Sequence, residues 1–175
     1  VVERPLSVLH PLQSFSENLI VPLGTQAGHI LKSLHLGFEP EKEILVFYQP
    51  IFLDYDMKIV ENRCGKELAS SSYAFGTMDK LGGYISYGTD CPVESCNPFP
   101  NIYSAVTRKD SQGNPASGFY PEESVDIYAA IDAYTAGSAY AEFMEHKKGR
   151  IKEGYYADLV ILNKDIFTIN PLEIK

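Results

Sequence analysis

The chain is 175 residues long, with 45% hydrophobic and 22% charged residues and a formal net charge of −8. That is enough for one domain with a sizeable core, short of the roughly 250 residues of a complete large enzyme scaffold, and the absence of any Lys or Arg run excludes a nucleic-acid or anionic-membrane footprint. No apolar stretch nears the roughly 20 residues that span a bilayer, and the start, VVERPLSVLH, shows no basic region leading into a long apolar one.

Residues 1–43 carry little regular pattern. Ser14 to Asn18 can open a helix, but Pro22, Gly24 and Gly28 interrupt the period, and an irregular segment is expected. From residue 44 the pattern sharpens. ILVFYQP (residues 44–50) is a continuous apolar run stopped by proline, which reads as a strand buried on both faces. Residues 68–81 read as a helix with Tyr73, Ala74, Met78 and Leu81 on one face, ended by Gly82-Gly83. A second strand follows at residues 84–87, and strand, helix, strand with short joints predicts a βαβ unit in a parallel sheet.

DCPVESCNPFPN is loop chemistry, and residues 98–109 predict a short helix entered through proline. The next loop turns at Gly113-Asn114-Pro115. Asp126 reads as the N-cap of a helix on which Ile127, Ala130, Ile131 and Tyr134 share a face. Thr135 is expected to cap a second helix with Ala136, Tyr140, Phe143 and Met144 inward and Gly149 at its end. Short strands at residues 150–151 and 157–162 close the chain, around a turn at Glu153-Gly154.

Active sites of parallel α/β sheets gather at the carboxyl ends of the strands. Asp90 stands at such an end, as the last residue of the segment YISYGTD. Around and beyond it YGTDCPVE, NIYSAVTRKD, AIDAYTAGSAYAEF and GRIKEGYYADLVILNKD occur in order, with YQPIFLDYD and SYAFGTMDKLG upstream. Together these motifs resemble the C-terminal portion of the amidohydrolase superfamily, specifically the family-3 branch that includes N-substituted formamide deformylase. The resemblance covers about residues 44 to 170.

It implies an α/β fold: residues 44–148 as the last strand-helix units of a (β/α)8 TIM barrel, and residues 149–175 as strands returning to a small β-sandwich. Residues 44–50 would be the seventh barrel strand and residues 84–90 the eighth. The implied activity is hydrolysis of an amide or formamide-type C–N bond by water bound to a divalent metal, expected to be zinc. A divalent cation lowers the pKa of its water and polarises the carbonyl, while a nearby carboxylate shuttles protons. Asp90 matches that carboxylate, which the resemblance implies would touch the metal site and carry the protons. Glu94 matches a recurring loop acid and Arg108 the basic residue of AVTRKD, both candidates to contact substrate or support the site; a supporting or structural role is favoured for Glu94 over a catalytic one, and a surface or loop-anchoring role for Arg108. By the same resemblance His10, ending PLSVLH, would stand for the sixth-strand metal ligand, although its distance to Gln49-Pro50 is longer than the family pattern.

The rest of a family metal site is not found. Among four histidines there is no His-x-His pair, and Lys58, Lys66 and Lys80 fall too late for a bridging lysine. His29 and His35 match no motif, and His146 reads as a solvated residue at a helix tail. A catalytic metal takes about three or more protein ligands. The chain is therefore expected to be the C-terminal part of an enzyme, inactive and without metal by itself, partnered by the N-terminal part or a second copy and acting on a small molecule. Three cysteines cannot all pair, which favours reduced thiols in a cytoplasm. Two other readings stand beside this one. One is a non-catalytic truncated α/β module that self-associates through exposed sheet edges. The other is a thiol or zinc site on Cys91 and Cys96, which lack a second Cys or His pair nearby.

Overall fold

A computed structural model of the chain describes residues 45–174. His10, His29, His35 and the helix start read at Ser14 to Asn18 lie outside the described residues. The fold is α/β, built on two parallel strands, β1 (Leu45–Tyr48) and β2 (Tyr84–Tyr87), paired from Leu45↔Tyr84 to Tyr48↔Tyr87. The predicted βαβ order is present. Parallel pairing needs a crossover long enough to carry the chain back to the same end, and helices α1 (Leu53–Asp56), α2 (Val60–Ala69) and α3 (Phe75–Lys80) supply it.

The crossover differs from the single helix read at 68–81. It breaks between Ala69 and Phe75 because Ser70, Ser71 and Ser72 turn their hydroxyls back onto the carbonyls of Glu67 and Leu68, at 2.8, 3.0 and 3.3 Å, competing with helix propagation. Tyr73 then takes a left-handed φ of 53°. Two contacts hold it there. Its hydroxyl donates to Asp56 Oδ2 at 2.5 Å, and its carbonyl accepts from Arg108. Gly82, at φ 71°, ends α3 as the sequence predicts.

β1 is also less enclosed than its apolar text suggests. Its residues are half-buried, and Phe47 is exposed, because β2 is its only strand neighbour among the described residues.

Helices α4 (Phe99–Thr107), α5 (Ile127–Tyr134) and α6 (Ala136–Ala141) pack around the sheet. α4 is entered through Pro98 and Pro100, as expected. Asp126 caps α5, accepting from the Ala129 amide at 2.8 Å. Thr135 does not cap α6. Its hydroxyl bonds back to Ile131 O at 2.8 Å, which marks the joint between α5 and α6 instead. α6 lies so close to β2 that a Cβ on Gly137 would sit 1.9 Å from the Ile85 carbonyl oxygen; glycine permits the approach. The helix ends at Ala141, ahead of the Gly149 stop, because Phe143 adopts φ 59° and the Met144 amide closes on Ala139 O at 2.8 Å. Phe143 consequently points away from the core and is exposed.

Residues 149–174 form no strand among the described residues, in contrast to the expected strands at 150–151 and 157–162. A strand exists only by pairing with another, and no described strand lies beside this segment. Val160 and Ile161 are 78% and 96% exposed. Further on, Ile166 and Ile174 fold back into the main core.

That core is aromatic where it meets the strands. Phe75, with no exposed surface, receives Tyr48, Tyr73 and Tyr87 edge-on at 5.0, 5.9 and 5.9 Å, and Tyr87 meets Tyr134 at 5.9 Å. Edge-to-face pairs at such separations contribute beyond their buried area.

Candidate functional site at the strand ends

β1 and β2 end side by side, and the Gly88 amide still donates to Tyr48 O at 3.0 Å, one bond past the last strand pair. Beyond that the chains diverge, β1 into a tight turn over Pro50–Phe52 and β2 into the loop Thr89 to Asn97. Asp90 is on this loop two residues after Gly88. It is exposed, at φ 55°, and its carbonyl accepts from the Val93 amide at 2.8 Å. Thr89, just before it, is buried.

Glu94 is exposed further along the same loop, as are Cys91 and Cys96, both free thiols. The loop thus carries two solvent-facing carboxylates. Arg108 is elsewhere. It is fully buried, which overturns the surface half of its sequence reading. Nε donates to Phe119 O at 2.9 Å and Nη1 to Tyr73 O at 2.7 Å, while the guanidinium lies over the Phe75 ring. These bonds anchor two chain segments. Burial pulls its pKa down to about 10, against the opposing influence of Glu123. The same burial raises the phenols of Tyr48, Tyr73 and Tyr87. His146 is exposed beside Glu145 at 3.5 Å.

The residue missed by sequence reasoning is Asn101. It has no exposed surface. Oδ1 accepts from the Ile51 amide at 2.5 Å, and Nδ2 donates to Gly88 O at 3.0 Å and to the hydroxyl of Tyr134. Burial pushes the Tyr134 phenol up to about 12, with the Asn101 bond working the other way. The available signal was an amide in the first turn of the largely apolar helix FPNIYSAVT.

Among the described residues no three His, Cys, Asp or Glu side chains converge where they could hold a metal ion. Asp90, Glu94 and the two loop cysteines do not amount to a metal centre, and the Cys91/Cys96 zinc reading has no third ligand among these residues. No helix of the described residues is long and apolar enough to cross a membrane.

The sequence profile of the amidohydrolase family matches residues 42–175. The chain is 36% identical over 126 residues to amidohydrolase YtcJ of Bacillus subtilis (strain 168), covering 72% of this chain and 24% of that protein. It is 29% identical over 89 residues to N-substituted formamide deformylase of Arthrobacter pascens, covering 51% of this chain and 16% of that protein. A solved metal-dependent hydrolase from Pyrococcus furiosus superposes with a TM-score of 0.59 at 28% identity, covering 77% of this chain and 25% of the other. The chain therefore spans about a quarter of the length of YtcJ.

Proposed function

This chain belongs to the amidohydrolase family, in its family-3 branch, and on that premise we propose that it forms the C-terminal part of a metal-dependent hydrolase of amide or formamide-type C–N bonds. In this reading β1 and β2 are the last two strands of a (β/α)8 barrel, and Asp90 is the carboxylate that carries protons at the end of the last one. The observation that carries the reading is the pair of parallel strands tied together at their carboxyl ends, with Asp90 exposed two residues past the final tie. Parallel sheets are normally covered on both faces and occur in larger α/β folds, so the two parallel strands of the described residues fit a part of a barrel. The similarity to N-substituted formamide deformylase supports the bond class, and the likeness to a metal-dependent hydrolase supports the need for a divalent metal, with zinc the expectation.

Because the described residues offer no complete ligand set, the metal's ligands are proposed to come mainly from the upstream part of the enzyme, which is also the chain's main partner. Substrate is a small molecule. Purified chain, alone and mixed with the upstream polypeptide, is to be assayed for bound metal and for release of amine from an N-substituted formamide. Metal and turnover appearing only in the mixture support the proposal. Tight stoichiometric metal on the chain alone, or a mixture without either, refutes it.

A second reading, a non-catalytic module that self-associates, draws on sheet edges left unpaired among the described residues and on the exposed residues Val160 and Ile161. Its mark is a stable oligomer that neither binds metal nor turns over substrate in the presence of the upstream polypeptide.

A further inference from the structure

Where two strands of a sheet diverge, their next backbone groups lose each other as partners. At this point a side-chain amide can stand in, since it carries the same donor and acceptor as a peptide group. Asn101 is so placed. Its carbonyl oxygen takes the Ile51 amide just past β1, and its NH2 group donates to the Gly88 carbonyl just past β2. The second NH2 bond, to the Tyr134 hydroxyl, brings in α5. The side chain reaches both strand exits and one helix from a position with no exposed surface.

We infer that Asn101 is a positioning residue for Asp90, an inference that rests on the reading of Asp90 as the proton-carrying carboxylate. The chain from Gly88 to Asp90 is pinned at both ends. Asn101 holds the Gly88 carbonyl, and the Asp90 carbonyl closes a turn onto the Val93 amide. Thr89 between them is buried. With the left-handed φ of Asp90, these restraints set the direction in which its carboxylate leaves the backbone. Proton transfer demands hydrogen-bond reach, and misplacement by about 1 Å can cost on the order of 100-fold in rate. Asn101 touches no reacting atom. It acts through the backbone that carries one.

Other residue types fail for separate reasons. Aspartate can accept from Ile51 but, when ionised, cannot donate to Gly88, and it would bring a charge into a buried site. Alanine leaves the Ile51 amide and Gly88 carbonyl without their partner. Serine keeps one hydroxyl, too short to serve both strand exits.

The test is a double-mutant cycle in the full-length polypeptide that carries this chain, with kcat and KM measured on an N-substituted formamide and thermal stability recorded for every variant. Asp90→Asn is expected to lower kcat by about 100-fold or more. Asn101→Ala should lower kcat by about tenfold or more with little change in KM, and should cost almost nothing further when Asp90 is already Asn. Asn101→Ser serves in the same cycle if the alanine variant does not fold. If either Asn101 variant lowers kcat equally in both backgrounds, or lowers stability while kcat per folded molecule is unchanged, Asn101 is structural only and the inference is overturned. If Asp90→Asn leaves kcat intact, the reading of Asp90 itself has failed, and the inference falls with it.

Discussion

The guanidinium carbon of Arg108 sits 5.0 Å from the centre of the Phe75 ring, with both side chains wholly buried. A cation held over an aromatic face without water gains more than the same contact at a surface. Here the contact is locked by two carbonyls, of Tyr73 and Phe119, from segments far apart in the chain. Nη2 has no partner. Glu123 supplies the leading compensating charge and is itself fixed by the Thr77 amide and hydroxyl at 2.7 and 2.5 Å.

Arg108→Lys is therefore expected to destabilise the fold by about 3 kcal/mol, although it conserves charge. A lysine ammonium cannot reproduce the flat fork, and at least one buried carbonyl loses its donor at a cost of about 1–3 kcal/mol. Urea unfolding of the two proteins measures the difference. An effect within about 0.5 kcal/mol, as for an ordinary surface change, contradicts this account.

Gly137→Ala should be among the most damaging small substitutions. Its methyl group would meet the Ile85 carbonyl oxygen at 1.9 Å, and backbone must move on one side or the other. Overpacking of this kind costs about 1–3 kcal/mol. The expected result is a lowered melting temperature together with weakened hydrogen-exchange protection in β2. Ala136→Gly, at the neighbouring position of the same helix, should not loosen β2.

The acid limb of stability should depend on Asp54. Burial pushes its carboxyl upward, but the hydrogen bonds from Lys58 at 2.9 Å and from the Ser111 amide at 2.8 Å outweigh this and hold it below its ordinary value of 3.8. A carboxylate with a depressed native pKa contributes stability that is present above the unfolded pKa and disappears as pH falls through the native one. Unfolding free energy measured from about pH 5 downward should thus fall less steeply in Asp54→Asn than in the parent. Identical slopes would show that the Ser111 loop does not rely on the ionised form.

Ile161→Lys tests the β-sandwich that the family resemblance implies for the terminal segment. Ile161 is 96% exposed, so the stability of the chain alone should change by no more than about 0.5 kcal/mol. If residues 157–162 pair with strands of the upstream part, the same substitution should weaken assembly with that part, read as a higher Kd by titration calorimetry. Unchanged affinity would show that this segment does not pair with the upstream part.

Much of the local framework was open to reading from neighbouring residues. YISY followed by glycine marked β2, Asp126 marked the start of α5, and Gly82 marked the end of α3. In each case the cause lies within a few residues: a run of side chains suited to a strand, a carboxylate near free amides, a backbone site favouring glycine. The break at residues 70–74 was harder to see, because serine competes with the helix only where tertiary contacts, here Asp56 and Arg108 on Tyr73, hold the alternative in place.

Asp90 was visible as a strand-end carboxylate, and the ordered motifs around it were enough to identify the family. What surrounds Asp90 was decided by tertiary structure alone. Asn101 is 13 residues from Gly88 and 50 from Ile51 along the chain, and nothing local announces that its amide will bridge them. Arg108 reads like a surface residue until the fold closes over it. Residues 157–162 have the composition of a strand, yet a strand is a relation between two segments and requires a partner beside it. Composition and short-range spacing determined where the elements and the carboxylate lie along the chain, because those depend on adjacent groups. Which polar groups are buried together, and which strand text is actually paired, depends on contacts between distant segments, and only the folded structure settles those.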